Sequence, residues 1–113
     1  MSGKVVLVPF PFDDLSGTKL RPAVCLTDPI GIHRHVILAF ITSNTAAATE
    51  TSDLRLGISH PDFARTGLKV DSALRLHRLM TVNTTLIQRV LGELSPNLQT
   101  LVESRLKQLF KIR

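Results

Sequence analysis

The chain has 113 residues, of which 43% are hydrophobic, with 14 Lys and Arg against 9 Asp and Glu and a net charge of +5. This length predicts a single domain over residues 1–113, since most domains run to about 100–150 residues. No apolar run approaches the roughly 18 residues needed to cross a bilayer, and one cysteine excludes an internal disulfide. We therefore expect a cytoplasmic protein. Its charge favours an anionic partner, most commonly nucleic acid, although a soluble protein can be basic without one.

The first half of the chain predicts strands separated by polar loops. Apolar runs predict strands at 5–8, 23–27 and 36–42. The last run is apolar at consecutive positions, so we expect a central strand buried on both faces. Two prolines, two aspartates and Ser16-Gly17 predict a long ordered loop over 9–22. A second polar loop at 43–53 precedes a weak strand near 54–58.

The second half predicts short strands and a terminal helix. Residues 60–67 have the composition of a helical turn or irregular loop ending at Gly67. From Lys69 to His77 polar and apolar residues alternate, as on a strand with one solvated face. Further short strands are predicted at 81–83 and 87–91.

The clearest helix follows Ser95, a good N-cap, and Pro96, which suits the first helical position. Apolar residues then recur with helical spacing; they are Leu98, Leu101, Val102, Leu106, Leu109 and Phe110. Several short strands and one terminal helix predict a small, mainly β fold. A partly open barrel with packed helices fits this pattern best.

Arg21 and Pro22, directly before an apolar run, are the first candidate functional residues. A buried guanidinium needs a partner, and proline suits the first residue of a strand. Arg21 is then either a structural anchor, paired with Asp13 or Asp14 in its own loop, or a group directed at an anionic ligand. The residues alone leave these two interpretations evenly matched.

Two further polar segments can be explained without a functional role. Thr42 and Ser43 end the predicted central strand, where turns commonly need such residues. Alternation places Lys69, Asp71, Arg75 and His77 on one strand face, and a solvated face is the default interpretation of such charges. Metal sites are disfavoured: His33 and His35 lack further ligands nearby, and the adjacent carboxylates of Asp13 and Asp14 point apart on extended chain.

The order of these segments resembles the MazF/PemK toxin family of type II toxin–antitoxin modules over nearly the whole chain. The matching segments are GKVVLVPFPF, LRPAVCL, VILAFITS, GLKVDSALRLHRL and VLGELSP. The most specific mark is Arg21-Pro22-Ala23 before an aliphatic strand. Lys4 and Lys69 depart from the family pattern, in which aspartate and, in some members, arginine stand at these positions.

The resemblance implies an SH3-like barrel, a homodimer, and metal-independent, sequence-selective cleavage of single-stranded RNA that leaves 2′,3′-cyclic phosphate and 5′-OH ends. It implies catalytic roles for Arg21 at the scissile phosphate, Thr42 as a hydroxyl donor and Asp71 as a second-choice general base. The implied substrate-binding residues are Lys19, Ser43, Lys69, Arg75 and Ser16. The implied partners are a cognate antitoxin and, through the antitoxin complex, operator DNA; no cofactor is implied.

Two other functions remain open at this stage. The same barrel serves a toxin that binds gyrase without cutting RNA, and a plain nucleic-acid-binding regulator would leave RNA intact. Arg21 together with Thr42 favours the ribonuclease, because a gyrase-binding module does not require that pair.

Overall fold

A computed structural model of the protein describes residues 1–11 and 18–113. In this part of the chain six strands form one antiparallel sheet, ordered β4-β5-β3-β2-β1-β6, and a single α-helix follows it. The elements are β1 (Lys4–Pro11), β2 (Thr18–Cys25), β3 (His35–Thr42), β4 (Asp53–Leu56), β5 (Ser72–Asn83), β6 (Arg89–Glu93) and α1 (Pro96–Phe110). The sheet curls into a partly open barrel, which confirms the predicted mainly β fold with its C-terminal helix.

The hairpin of β1 and β2 is longer than predicted. The two strands stay in register out to Pro11 opposite Thr18, so the loop predicted over 9–22 is wrong at both ends. Pro22 lies within β2, not at its start. The described pairs between β2 and β3 begin at Ala23. Because Pro22 comes before them, its missing N–H interrupts no described hydrogen bond between these two strands.

β3 is central and buried on both faces, as predicted. Val36 and Leu38 pack into one apolar cluster, whereas Ala39 and Ile41 pack into another on the opposite face. The same alternation separates neighbouring apolar residues on β1 and β2. Because both faces are covered, these strands carry consecutive apolar residues in the sequence.

β5 replaces two predicted strands and starts later than the predicted alternation. Ser72, Ala73 and Leu74 are all buried, while Lys69 to Asp71 precede the strand. The solvated strand face predicted from Lys69 is therefore wrong at its beginning. The pairing with β3 is irregular in the middle of β5: Ala39 pairs with Leu79, whereas the next residue, Phe40, pairs with Arg75. The two predicted strands are therefore one strand that contains a bulge.

The terminal helix begins as predicted. The Ser95 hydroxyl accepts a hydrogen bond from the Leu98 amide at 3.2 Å, and Pro96 occupies the first turn. Leu98, Val102 and the half-buried Leu106 form the stripe that faces the core. Three of the six apolar residues with helical spacing are exposed: Leu101, Leu109 and Phe110.

A short 3-10 turn connects the two sides of the barrel. It spans Ala64–Thr66 and ends at Gly67, which has the left-handed φ of +73° that favours glycine. This segment follows β4, at one edge of the sheet, and packs against β6, at the other. In the described part of the chain, no helix is long and apolar enough to cross a membrane.

Candidate nucleic-acid interface

Two neighbouring cavities share Arg21 and Ile41. The smaller, of about 200 Å³, is lined by Phe10, Arg21, Phe40, Ile41, Thr42, Arg75 and Arg78. The larger, of about 500 Å³, is lined by Leu7, Arg21, Pro22, Ile41, Ser43, Gly67, Leu68, Lys69, Val70, Ser72, Arg89 and Leu91. Arg21 thus lies on the boundary between two concave surfaces.

Strand register brings Arg21 close to Thr42. Ala23 pairs with Phe40 across β2 and β3, and two more residues of the same antiparallel register would put Arg21 opposite Thr42. Pairing stops before that point, so the strands separate and both side chains line the smaller cavity. The Thr42 hydroxyl oxygen accepts a hydrogen bond from the Asn44 amide at 3.0 Å, which leaves its proton available for donation to a ligand.

The bulge in β5 brings two arginines to the same cavity. Arg75 and Arg78 are three residues apart, a spacing that places side chains on opposite faces of a regular strand. The irregular register opposite Ala39 and Phe40 removes that restriction. Phe40 also packs edge-on against Phe10, with ring centroids 4.5 Å apart, so one part of the cavity wall is aromatic.

Arg75 is held by a buried carboxylate. Its Nε lies 3.0 Å and its Nη2 3.4 Å from the two oxygens of Asp53, whose side chain has no exposed surface. Burial raises the pKa of Asp53, but hydrogen bonds from Arg75 and from the Glu50 amide, with the charges of Arg75 and His77, outweigh it and hold that pKa below its ordinary value.

His77 belongs to the same cluster. Its Nδ1 lies 2.7 Å from the Ser52 hydroxyl and 3.8 Å from a carboxylate oxygen of Asp53. The sequence predicted a surface histidine, and His77 is indeed exposed, but the structure also places it against Ser52 and Asp53. No signal in the sequence pairs these residues, because 25 positions separate Ser52 from His77.

The larger cavity combines an apolar wall with cations. Leu7, Leu68 and Leu91 supply apolar surface, while Lys69 and Arg89 add charge. With Arg21, Arg75 and Arg78, five cationic side chains line the two cavities, and among the described lining residues there is no aspartate or glutamate. The combined surface therefore suits a polyanion that also carries apolar or aromatic groups.

The remaining predicted site residues lie around these cavities or outside the described chain. Asp71 accepts a hydrogen bond from the Ile58 amide at 2.7 Å, and it is not among the described residues that line either cavity. Lys19 is exposed on β2, two residues from Arg21. Ser16 lies outside the described residues, as do Asp13 and Asp14, the predicted alternative partners of Arg21.

Sequence reasoning missed Arg78, Arg89 and Asp53. Arg78 depends on the bulge in β5, and Arg89 stands at the start of an edge strand with no distinguishing neighbours. Asp53 ends a polar loop, where a solvated carboxylate is the usual expectation. Within residues 1–11 and 18–113, no group of three or more His, Cys, Asp and Glu side chains could hold a metal ion.

A basic, two-cavity surface on a small curled β-sheet defines this protein as a candidate nucleic-acid-binding barrel. The family model described as "PemK-like, MazF-like toxin of type II toxin-antitoxin system" matches residues 1–110. The chain therefore belongs to the PemK/MazF toxin family of type II toxin–antitoxin systems, as its sequence motifs indicated.

Solved structures support the same fold at low sequence identity. An endoribonuclease in complex with its cognate antitoxin, from a mycobacterial species, aligns with a TM-score of 0.69 and 15% identity, covering 100% of this chain and 96% of that one. The toxin MazF-mt6 of Mycobacterium tuberculosis aligns with a TM-score of 0.69 and 18% identity, covering 96% and 98%. MazF from Deinococcus radiodurans aligns with a TM-score of 0.67 and 16% identity, covering 98% and 96%. A comparison with curated protein sequences found no significant match.

Proposed function

We propose that this protein is the toxin of a type II module and acts as a metal-independent, sequence-selective endoribonuclease on single-stranded RNA. The observation that carries the proposal is the position of Arg21, on the boundary of two cavities lined by five cations. A guanidinium at such a boundary can contact a phosphate while the flanking nucleotides occupy the cavities on either side. Single-strand binders combine a basic groove with stacking surfaces, and Phe10 and Phe40 offer aromatic surface in the smaller cavity.

The proposed reaction is an internal transesterification. The ribose 2′-oxygen attacks the adjacent phosphorus, a P–O bond forms to it, and the bond to the 5′-oxygen breaks. The products are a 2′,3′-cyclic phosphate and a 5′-hydroxyl. This step needs a base for the 2′-hydroxyl, an acid for the departing 5′-oxygen and positive charge at the phosphorane. Lys69, in the wall of the larger cavity, is the candidate acid that gives its proton to the 5′-oxygen.

Arg21 and Thr42 line the smaller cavity, where each has a role that its surroundings allow. Arg21 stabilises the negative charge, with a planar fork suited to phosphate oxygens. Thr42 donates its hydroxyl proton to a phosphate oxygen, while its own oxygen is oriented by the Asn44 amide. Asp71 stays a second-choice general base, because it is not among the described residues that line either cavity; one carboxylate oxygen accepts the Ile58 amide, so the other would take the proton.

Substrate contacts are assigned to the cations and hydroxyls around this centre. Lys69 and Ser43 line the larger cavity and Arg75 lines the smaller one, while Lys19 extends the basic surface along β2. Ser16 completes the proposed set. We further propose that the protein is a cytoplasmic homodimer, that an antitoxin covers this surface, and that the complex binds operator DNA. A solved relative is an endoribonuclease in complex with its cognate antitoxin, which supports the antitoxin proposal.

The direct test is cleavage of a mixed-sequence single-stranded RNA by the purified protein in excess EDTA, with product ends read by mass spectrometry. We expect fragments ending in 2′,3′-cyclic phosphate and no cleavage of the matching single-stranded DNA, which lacks the attacking 2′-hydroxyl. Intact RNA at high protein concentration would contradict the proposal and favour a toxin that binds without cutting.

A further inference from the structure

The ion pair of Asp53 and Arg75 is more buried than the described ion pairs that do not include Asp53. The Asp53 side chain has no exposed surface and that of Arg75 is 17% exposed, whereas Lys4, Arg65 and Glu93 pair on the surface. A buried carboxylate is costly unless its oxygens are hydrogen-bonded. The backbone amide of Glu50 donates to Oδ2 at 3.0 Å and Arg75 donates to both oxygens, so the carboxylate is well satisfied.

Asp53 is itself fixed from two sides. It stands directly opposite Arg75 in the antiparallel register of β4 and β5. From α1, Arg105 donates to the backbone carbonyl oxygen of Asp53 at 2.8 Å and to that of Thr51 at 2.7 Å. Sheet and helix together thus hold this carboxylate at a defined place behind the cavity wall.

The geometry also determines which part of Arg75 remains for a ligand. The guanidinium uses Nε and Nη2 toward Asp53, and in the described residues its hydrogen bonds go to Asp53 alone. Arginine has five N–H donors in one plane, so Nη1 and the second Nη2 proton are left on the remaining edge. Arg75 lines the smaller cavity beside Arg21 and Arg78, where that edge can meet an anion.

We infer that Asp53 is a positioning residue, whose buried carboxylate orients the Arg75 guanidinium as an anion-binding fork for an RNA phosphate in the smaller cavity. The choice of RNA phosphate as the anion rests on the proposed function. A structural ion pair has no need of a cavity with two further arginines, whereas an anion site gains from a fork whose direction is set before the ligand arrives.

The test measures binding and cleavage separately. Binding is followed by fluorescence anisotropy with a labelled 2′-O-methyl RNA oligonucleotide, which lacks the attacking hydroxyl and cannot be cut. We expect Asp53→Asn and Arg75→Gln each to weaken binding by about 10- to 100-fold, the effect of a lost hydrogen bond to a charged group. Arg75→Gln, which removes a cation, should also reduce the slope of log affinity against log salt by about 1.

The double variant distinguishes positioning from general destabilisation. Because Asp53 acts through Arg75, Asp53→Asn should weaken binding no further in the Arg75→Gln background. Glu93→Gln, which removes a carboxylate from the surface pairs with Lys4 and Arg65, is the matched control and should bind as the wild type does. Wild-type affinity in Asp53→Asn, or an equal loss in both backgrounds, would overturn the inference.

If Asp53→Asn does not fold, Arg75→Lys takes its place in the test. Lysine keeps the charge beside Asp53 but loses the planar fork, so binding should weaken by a similar factor, and wild-type affinity would overturn the inference. A wild-type protein that binds the oligonucleotide yet leaves cleavable RNA intact would contradict the proposed function alone. A wild-type protein that does not bind RNA would overturn both.

Discussion

The backbone at Gly67 lies directly against the backbone of Leu91, so close that a β-carbon at Gly67 would overlap the Leu91 carbonyl oxygen. One residue further along β6, a β-carbon at Gly92 would overlap the carbonyl oxygen of Arg65. These two glycines let the segment after β4 reach the opposite edge of the curled sheet. The same contact places Gly67 and Leu91 in the wall of the larger cavity.

We predict that alanine at either glycine destabilises the fold, to different extents. Gly31→Ala is the reference for the left-handed backbone alone, since Gly31 has φ +71° and open space around it. We expect it to lower the free energy of unfolding by about 1–2 kcal/mol. Gly92→Ala measures only the overlap, for which we expect about 1–3 kcal/mol. Gly67→Ala combines both and should cost the most. Free energies of unfolding in urea test this order, and a Gly92→Ala protein as stable as wild type would contradict the close contact.

Arg21→Ala should abolish most RNA cleavage while the protein stays folded. Removing a group that stabilises transition-state charge costs about 10²- to 10³-fold in rate, and the exposed position of Arg21 predicts little loss of stability. Cleavage rate and urea midpoint are the two measurements. Arg113→Ala, an equal change of charge at the exposed C-terminus, is the control. Retained cleavage with an unchanged midpoint would remove Arg21 from the catalytic set.

Asp71→Asn separates a general base from a structural anchor. Asparagine keeps an oxygen that can accept the Ile58 amide, so the fold should be preserved in either case. As a general base, Asp71 contributes about 10²- to 10⁴-fold, and the variant should lose kcat by at least 10²-fold with little change in KM. A wild-type kcat would show that Asp71 only anchors the segment after β4.

Stability should fall on acidification, in part because of Asp53. Its pKa in the folded protein lies below the ordinary value of 3.8, so the folded state binds fewer protons than the unfolded state as pH falls past about 4. The stabilisation that Asp53 provides is complete above the pKa it has in the unfolded protein. It is lost as the pH falls through the lower pKa that Asp53 has in the folded protein. The free energy of unfolding of Asp53→Asn should therefore fall less steeply below pH 4 than that of wild type. Glu103→Gln, at an exposed helix position, is the control and should follow wild type.

Local patterns in the sequence predicted much of the fold. The apolar run of β3 predicted a central strand because burial of both faces demands consecutive apolar residues. Ser95 and Pro96 predicted the start of α1, since capping depends on residues within one turn. The ends of β1 and β2 were predicted wrongly, because pairing with β1 carries β2 through Pro22 despite local residues that signal a loop.

The sequence by itself determined the family, the order of the main strands, the helix start and the basic charge, since each of these depends on residues that are neighbours in the chain or on composition. Only the tertiary structure decided which distant residues share a surface. The register of β2 and β3 brings Arg21 to Thr42, and the bulge in β5 admits both Arg75 and Arg78 to one cavity. The burial of Asp53 against Arg75 likewise depends on the pairing of β4 with β5, because a carboxylate in a polar segment is ordinarily solvated until another strand and a helix enclose it.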